Sequence, residues 1–456
     1  MKITTSVNPY SGAKIEEFEN HSADEVDELI SQAHEQFLSW RTFSFSERKA
    51  LVLALAEELL KNKRIYAETI VREMGKPIAQ AEAEIEKCAW NCEYYAEHAE
   101  LQLKKEIILT DADKSYVSFE PLGILLAVMP WNYPFWQVFR FAIPALMAGN
   151  VVVLKHASNV FGCARQIEEI FNRVGFPKGC FTTLYVGSEL VESIIENQHV
   201  KAVTLTGSSA AGAKVAAIAG KNIKKIVLEL GGNNAMIVMK DCDLSKTVKK
   251  CVTARFQNTG QSCIAGKRLL VDEAIAEKFM KKLLKKINKM KSGDPMDEKT
   301  YIGVMAREDL AEQLEEQMNR SVAMGAEIAI GGTRKGTYFE PTVLTGVTPD
   351  MPVFNEETFG PLLSVTPFQD IEEAIQLSNN SKYGLGVSIF TENLNEAEEM
   401  VPLFDEGAVF VNELVKSDPR LPFGGVKESG FGRELSYFGV REFVNKKTVY
   451  INRFQL

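Results

Sequence analysis

The least polar stretch of the chain reads PLGILLAVMPWNYPFWQVFRFAIPALMAGNVVVLKHAS over residues 121–158, and Arg140 is its only charged side chain before Lys155. Its internal prolines and amide side chains interrupt every apolar window long enough to cross a membrane, so no transmembrane span is expected. The pattern predicts a buried strand at 124–129, a loop, a buried helix that ends near Met147, and a second buried strand at 151–154.

Helical and strand patterns continue to alternate up to residue 230, which predicts a parallel, doubly wound sheet. A second alternating segment runs from about residue 233 to 411 and predicts another unit of the same kind. Amphipathic helices fill the N-terminal quarter, and the first begins with a capping box at Ser22 and Glu25. Segments at 103–119 and 446–453 alternate with a period of two and predict separate strands. The expected fold class is α/β, with two doubly wound domains and a small β element.

Composition excludes several classes of function. A chain of 456 residues is expected to form two or three domains. Its net charge of −9 argues against nucleic acid or an anionic membrane as a partner, because both bind basic surfaces. The seven cysteines are scattered and the five histidines dispersed, so neither a disulfide framework nor a metal site is predicted. The N-terminus lacks the pattern of a secretory signal, and a reducing cytoplasm is the expected location.

The stretch FQNTGQSCIAGKR (256–268) places one thiol, Cys263, among small and amide residues. These neighbours fit a nucleophile loop, but they also fit a buried cysteine on a glycine-containing turn, since free cysteine is often buried. The loop TGSSAAG (206–212) lies between a predicted strand and a helix, where a helix N-terminus can receive a phosphate. It lacks the GxGxxG pattern, so nucleotide binding is only one of two interpretations of this loop.

Seven motifs occur together and in a fixed order: PWNYP, VLKHAS, TGS, LELGG, GQSC, EETFGP and PFGGVKESGFGRE. On these motifs the chain resembles the aldehyde dehydrogenase superfamily, and it is most similar to the bacterial succinate semialdehyde dehydrogenases. The resemblance covers nearly the whole chain and favours the nucleophile interpretation of Cys263. It implies a Rossmann-like NAD(P)-binding domain (1–102 and 122–231), a catalytic domain (232–433) and oligomerisation strands (103–121 and 434–456).

The activity implied by this resemblance is the NAD(P)-dependent oxidation of an aldehyde to a carboxylic acid. Cys263 would attack as a thiolate, which requires a lowered pKa, and water would then cleave the resulting thioester. Asn132 and the Cys263 amide match the family's oxyanion donors, and Glu229 matches its general base. Glu434 matches a second carboxylate near a proton path, but the lysine that often accompanies it is replaced by Phe141.

The cofactor implied by the resemblance is NAD or NADP. The matching positions are Pro130 and Trp131 in the channel, Lys155 at the adenosine ribose, Gly207 and Ser208 at the pyrophosphate, and Glu357 and Phe359 at the nicotinamide and its ribose. Ser158 stands where NAD-preferring members carry a glutamate that repels a 2′-phosphate. Because that carboxylate is absent, we expect both cofactors to be accepted.

Arg140 matches the arginine that binds the far carboxylate of the substrate in the succinate semialdehyde branch. A lone cation in an apolar segment is usually paired or functional, because burying it unpaired is costly. The branch's second arginine is Gln257 here. Arg420 is a candidate for the missing charge, with Ser417 donating a hydrogen bond, but a charge on a surface loop is an equally good interpretation of Arg420, because exposed arginine is common. The predicted substrate is therefore succinate semialdehyde.

Three alternatives remain: a dehydrogenase for a broader range of small aldehydes, one that passes the thioester to coenzyme A, and a catalytically inactive cofactor-binding protein. An intact Glu229 favours hydrolysis over transfer to coenzyme A. Members of the family add a terminal strand to a neighbouring chain's sheet, so a homodimer or homotetramer is expected.

Overall fold

The N-terminal quarter of the computed structural model, which describes residues 2–454, is mainly helical. A hairpin of β1 (Ile3–Val7) and β2 (Lys14–Glu19) precedes the helices α1 (Ala23–Trp40), α2 (Phe45–Lys61), α3 (Lys63–Met74) and α4 (Ile78–Gln102). The predicted capping box is confirmed: the Ser22 hydroxyl accepts the Glu25 amide, and the Glu25 carboxylate accepts the Ser22 amide. Each bond satisfies a backbone donor that the first turn of α1 leaves free. No helix within residues 2–454 is long and apolar enough to span a bilayer.

The first large sheet follows two strands of a smaller one, β3 (Glu106–Ile107) and β4 (Lys114–Pro121). Its elements are β5 (Ile124–Met129), α5 (Trp136–Met147), β6 (Val151–His156), α6 (Phe161–Arg173), β7 (Phe181–Thr183), α7 (Val191–Glu196), β8 (Val200–Thr206), α8 (Ser209–Lys221) and β9 (Lys225–Glu229). These strands are parallel and lie in the order β9-β8-β5-β6-β7. The order reverses between β5 and β8, and a crevice forms at the carboxyl ends of strands at such a point. The PWNYP and TGS motifs lie at these two strand ends.

The second large sheet is built from the other alternating segment. Its helices and strands are β10 (Asn234–Val238), α9 (Leu244–Phe256), β11 (Gly266–Asp272), α10 (Glu273–Ile287), α11 (Glu308–Ala323), β12 (Glu327–Ile330), β13 (Arg334–Lys335), β14 (Tyr338–Phe339), β15 (Thr342–Thr345), α12 (Pro352–Asn355), β16 (Leu362–Phe368), α13 (Ile371–Asn379), β17 (Tyr383–Gly384), β18 (Val387–Phe390), α14 (Leu394–Met400) and β19 (Val409–Val411), with β13, β14 and β17 outside the sheet itself. The strand order is β12-β15-β16-β11-β10-β18-β19, and β12 alone is antiparallel to its neighbour. The predicted α/β class with two mainly parallel sheets is confirmed.

The C-terminal segment returns to the first sheet before it forms the final strand. It contains β20 (Val426–Lys427), β21 (Gly430–Phe431), α15 (Ser436–Val440) and β22 (Val444–Ile451). Strand β21 pairs with β9, so residues 430–431 join the first sheet although the sequence-based division placed them within 232–433. This return needs glycine: Gly430 has a φ of 108°, and a Cβ there would approach the Leu228 carbonyl oxygen to 2.1 Å. Strand β22 pairs with β4 along its whole length, and β3 completes a three-stranded antiparallel sheet.

Candidate active site

A cleft of about 600 Å³ is lined by residues from both large sheets. It contains the two motifs at the switch point of the first sheet, the Cys263 loop between α9 and β11, and the EETFGP motif. The predicted catalytic and cofactor residues among its walls are Pro130, Trp131, Asn132, Gly207, Ser208, Cys263, Glu357 and Phe359. Residues that are far apart in the sequence are thus brought together around one thiol.

The backbone just before Cys263 lies in a strained conformation that other parts of the chain hold in place. Asn258, Thr259 and Gly260 have φ angles of 57°, 54° and 72°. Left-handed backbone costs about 1 kcal/mol or more at a residue other than glycine, so it persists only where surrounding contacts fix it. The Asn258 side-chain amide donates to the Asn132 carbonyl at 2.9 Å, and the Thr259 hydroxyl accepts a buried backbone amide at 3.1 Å. The first contact ties the thiol loop to the PWNYP loop, and the second ties it to the segment at Gly303.

A buried lysine anchors the backbone of the thiol loop from below. Lys267 Nζ donates to three backbone carbonyls, including that of Cys263 at 2.8 Å, and to the Glu357 carboxylate at 3.0 Å. Burial raises the pKa of the partly exposed Cys263 thiol to about 11, although the charges of Lys267 and Arg140 oppose the shift. Of the two predicted ways to lower this pKa, by the site or by a bound cofactor, the first is wrong, because desolvation outweighs the two cations.

Asn132, the predicted oxyanion donor, lies beside the loop that carries Cys263. Its side chain is 4 % exposed, and its Nδ2 donates to the Gln261 carbonyl at 3.2 Å. Both Asn132 and Cys263 line the cleft, so a carbonyl group bound there would meet an amide donor and a thiol.

Glu229, the predicted general base, ends β9 and is not among the described residues that line the cleft. Its side chain is 2 % exposed, and within residues 2–454 its Oε1 has no hydrogen-bond partner. Burial, and after it the nearby charge of Glu434, raises the pKa of Glu229 well above its ordinary value, while Arg140 and Arg433 oppose the shift. Burial therefore favours the neutral form of this carboxyl group, which lies behind the residues that line the cleft.

The predicted phosphate-binding residues form the start of α8. The Ser208 hydroxyl caps this helix by accepting the Ala211 amide at 3.3 Å, and the Gly207 amide donates to the Glu229 carbonyl at 3.0 Å. The helix N-terminus therefore faces the cleft through residues that line it, and such an end attracts an anion.

Lys155 and Ser158 follow the neighbouring strand and lie outside the residues that line the cleft. Lys155 is in β6, paired with Val128 of β5, and Ser158 is exposed just beyond it. Burial lowers the pKa of Lys155, and the carboxylate of Glu189 opposes that shift. Both residues therefore lie at the carboxyl end of β6, next to the crevice of the first sheet.

Glu357 and Phe359 close the opposite wall of the cleft. The Glu357 carboxylate accepts the Gly232 amide at 3.0 Å, in addition to its contact with Lys267. The rings of Phe359 and Trp131 meet edge to face, with centroids 5.7 Å apart. Two aromatic side chains and one carboxylate thus border the space above Cys263.

On its other side, Cys263 lines a second cavity of about 240 Å³. Arg140 and Ser417, both predicted for substrate binding, are among its walls, together with Gln257. Arg140 is 2 % exposed and forms an ion pair with Glu434. The Ser417 hydroxyl accepts the indole N–H of Trp136 at 3.1 Å. The second cavity therefore combines apolar walls with positive charge.

Arg420 lies elsewhere, and its predicted role in substrate binding is wrong. Its guanidinium forms two hydrogen bonds to the Asp418 carboxylate, at 2.8 and 2.7 Å, and lies over the ring of Trp90. The side chain is 66 % exposed and borders a surface depression with Trp90 and Tyr94. A carboxylate two residues away in the sequence holds it outside the second cavity.

Sequence reasoning missed two lysines of the site. Lys267 is at the end of the stretch that carries Cys263, and Lys87 is in the helical N-terminal quarter, and neither was predicted to have a role in the site. Lys87 lines the second cavity, and its Nζ donates to the Ser417 hydroxyl at 2.7 Å. No local signal identifies Lys87, because its partner lies 330 residues further along the chain.

Comparison with known proteins gives a consistent result. A sequence profile described as the aldehyde dehydrogenase family matches residues 2–449. A probable succinate-semialdehyde dehydrogenase (NADP+) of Synechocystis sp. is 46 % identical over 99 % of this chain and 100 % of that protein. The succinate semialdehyde dehydrogenase (NAD(P)+) Sad of Escherichia coli is 42 % identical over 98 % of both chains. The crystal structure of a succinic semialdehyde dehydrogenase from Streptococcus pyogenes, in complex with NADP+, superimposes with a TM-score of 0.96, at 35 % identity over 99 % of this chain and 100 % of that one.

Proposed function

Since the chain belongs to the aldehyde dehydrogenase family, we propose that this NAD(P)-dependent enzyme oxidises succinate semialdehyde to succinate. The observation that carries the proposal is the second cavity, where Arg140 and Cys263 border the same small space. A short substrate with an aldehyde at one end and a carboxylate at the other fits such a space, because the thiol meets the aldehyde and the cation meets the carboxylate. The substrates named for the relatives agree with it.

In the proposed reaction, the Cys263 thiolate adds to the aldehyde carbon. The negative charge that develops on the aldehyde oxygen is stabilised by the Asn132 side-chain amide and by the Cys263 backbone N–H. Asn132 is suited to this role because the contacts around Asn258 hold its loop against the thiol loop. Removing one such donor costs about 3 kcal/mol of transition-state stabilisation.

The residues of the cleft fit a dinucleotide cofactor. The start of α8 offers an anion site at Gly207 and Ser208, while Trp131 and Phe359 flank a flat space beside Glu357. When bound, NAD or NADP provides the acceptor for the hydride that leaves the tetrahedral carbon on Cys263. Lys155 and Ser158, at the edge of the sheet, are proposed to face the adenosine ribose, where Ser158 leaves room for a 2′-phosphate.

Hydrolysis of the thioester then needs a base, and Glu229 is proposed to fill this role. Its pKa is raised by burial, so it becomes an effective base when it turns toward the water that attacks the thioester. The water adds to the acyl carbon and passes one proton to the ionised Glu229 carboxylate; the carbon–sulfur bond then breaks, so that the Cys263 sulfur leaves as a thiolate and the product leaves as an acid. The proton on Glu229 then leaves the site, which regenerates the carboxylate. Glu434, which contacts both Thr204 and Arg140, is proposed to receive that proton onward.

The test is steady-state kinetics with succinate semialdehyde and propanal, each with NAD and with NADP. NAD(P)H absorbance should show a kcat/KM for succinate semialdehyde at least about tenfold above that for propanal, as one satisfied charge contact predicts. Equal values for the two aldehydes would contradict the proposed substrate, and absence of activity with both would leave the coenzyme A-dependent enzyme and the inactive cofactor-binding protein as alternatives.

We further propose that the protein is a homodimer or homotetramer. Strand β22 lies at the edge of the three-stranded sheet and carries exposed Tyr450 and Ile451. An exposed edge with apolar side chains is a ready surface for pairing with a second copy. Size-exclusion chromatography that gave a stable monomer would contradict the oligomer.

The cysteines of the described chain are all free, which fits a cytoplasmic location.

A further inference from the structure

Lys87 is the cation of the second cavity that most lacks an anionic partner. It projects from α4 into the cavity that Cys263 borders. Its Nζ donates to the Ser417 hydroxyl at 2.7 Å and lies 4.2 Å from the ring centroid of Trp136. A hydroxyl and an aromatic face stabilise an ammonium group, but neither cancels its charge.

The nearby carboxylates are already engaged with other groups. Glu84, one turn earlier on α4, forms an ion pair with Lys76 and accepts the Phe135 amide at 2.9 Å. Asp418 is held by the guanidinium of Arg420, with the nearer contact at 2.7 Å. Within residues 2–454, Lys87 forms no ion pair. A partly buried ammonium without a counterion is costly, so an anion that enters the cavity would be favoured.

Arg140 is less available than its position suggests. Its charge is compensated by Glu434, and its Nη2 is 3.4 Å from the Thr206 hydroxyl. The guanidinium also lies over the Phe423 ring at 4.8 Å. An arginine whose charge is compensated by a buried carboxylate contributes less net positive potential to the cavity than a cation that has no ion-pair partner.

We propose that the Lys87 ammonium, with the Ser417 hydroxyl, is the principal anchor for the carboxylate of the substrate. The Ser417 hydroxyl oxygen accepts hydrogen bonds from Lys87 and Trp136, so its own proton is free to be donated to a carboxylate oxygen of the substrate. Arg140 adds charge from the far side. The inference rests on the proposed function, since it explains how the enzyme distinguishes an aldehyde that carries a carboxylate from one that does not.

The first test replaces Lys87 by methionine, which keeps the length of the side chain and removes its charge. Loss of a desolvated charge contact costs about 2 kcal/mol or more, which is at least a thirtyfold change. We therefore expect the ratio of kcat/KM for succinate semialdehyde to that for propanal to fall at least about thirtyfold in Lys87→Met. The change should appear in KM for succinate semialdehyde, since an anchor remote from the reacting carbon acts mainly on binding.

Lys416→Met is the matched control. Lys416 also borders the second cavity, but its side chain is 50 % exposed and its Nζ lies 3.4 Å from the Glu413 carboxylate. Its substitution should change the same ratio by about threefold at most, as exposed ion pairs are worth little. If Lys87→Met lowers the ratio no more than Lys416→Met does, the inference is wrong. If the wild-type enzyme already shows no preference for succinate semialdehyde over propanal, the proposed function fails instead.

A second test measures the pH dependence of the same ratio in the wild-type enzyme, so it does not depend on a variant that lacks Lys87 being able to fold. Burial, and after it the charge of Arg140, lowers the pKa of Lys87 to about 8. The other groups that face it are Glu84 and Cys88 on its own helix, Tyr133 before α5, and Lys416 and Asp418 on the loop after β19. Burial raises the pKa of Cys88 well above its ordinary value, and the Arg420 contact lowers that of Asp418, so neither changes charge near pH 8.

A lysine whose pKa is about 8 is charged below that pH and neutral above it. The ratio of kcat/KM for succinate semialdehyde to that for propanal should therefore fall as pH rises through 8, because kcat/KM reports the free enzyme. Titration of Cys263 affects both aldehydes and cancels in the ratio. Lys87→Arg, whose charge persists, should restore binding and remove the fall. A ratio that is flat across this range in the wild-type enzyme would overturn the role of Lys87.

Discussion

The ion pair of Arg140 and Glu434 is the contact in the site whose removal should be most costly to the fold. The two side chains are 2 % and 3 % exposed, and Glu434 also accepts the Thr204 hydroxyl at 3.2 Å. In Arg140→Met the Glu434 carboxylate would remain buried next to Glu229 without its cation. Breaking a buried pair by removing one partner typically costs about 3–5 kcal/mol, and we expect a loss of that size in the free energy of unfolding.

The double variant separates the pair from the packing around it. In Arg140→Met with Glu434→Gln, the uncompensated charge is gone and the Gln amide can still meet Thr204. We therefore expect the double variant to be more stable than Arg140→Met alone, with a coupling of about 2–3 kcal/mol between the two positions. The assay is equilibrium unfolding in urea, followed by tryptophan fluorescence, with the slope of each transition compared to confirm that the same surface is exposed.

Arg72→Met provides the control for this measurement. Arg72 pairs with Glu68 at 3.6 Å on the surface of α3, and its side chain is 59 % exposed. An exposed pair contributes about 1 kcal/mol or less, so the control should barely shift the urea midpoint. If Arg140→Met is no more destabilised than Arg72→Met, then Glu434 does not depend on Arg140, and the assignment of charges in the second cavity is refuted.

Three other substitutions or measurements test the cleft itself. Ser158→Glu should raise KM for NADP at least about tenfold while leaving NAD in use, since a carboxylate repels a 2′-phosphate; an unchanged KM in both-cofactor kinetics would contradict the placement of Ser158. Gly260→Ala should destabilise the protein by about 1–3 kcal/mol in thermal unfolding, because φ is 72° and a Cβ would lie 2.3 Å from the Gly360 carbonyl oxygen. The control Gly220→Ala should not destabilise the protein, because the space around Gly220 is open. The rate at which iodoacetamide alkylates Cys263, followed by mass spectrometry, should rise about tenfold per pH unit below the thiol pKa of about 11. At a fixed pH the rate should be lower in Lys267→Met, which lacks the cation that favours the thiolate. A rate that does not change with pH around neutrality would show instead that the thiolate is already formed.

The sequence predicted the parts of the structure that depend on local pattern. Period and polarity over residues 121–230 give the parallel sheet, because a strand buried on both faces is apolar throughout and a covering helix is amphipathic. The capping box at Ser22 is equally local, since its two members are three residues apart. Cys263 was recognised only through motifs elsewhere in the chain, since its neighbours fit a structural thiol as well.

Prediction failed where desolvation or distant packing decides the result. The pKa of Cys263 depends on how much water its sulfur loses, and the sequence near it shows neither this burial nor the distant charge of Arg140. Arg420 was the predicted replacement for the arginine missing at Gln257, but its guanidinium is bound by the Asp418 carboxylate instead. Lys87 reaches Ser417 across 330 residues of chain, a contact that no periodicity in α4 indicates.

The replacement of one lysine explains why these charges are distributed as they are. Phe141 stands where the family often has a lysine beside Glu434, and its ring packs edge to face on Phe443 with centroids 5.3 Å apart. Glu434 is buried and still needs a cation, and Arg140, one residue earlier, now provides it. An arginine used in this way leaves less of its charge for a substrate. If the cavity binds the carboxylate proposed for the substrate, a second cation there is favoured, and Lys87, which forms no ion pair within residues 2–454, is in place to provide it.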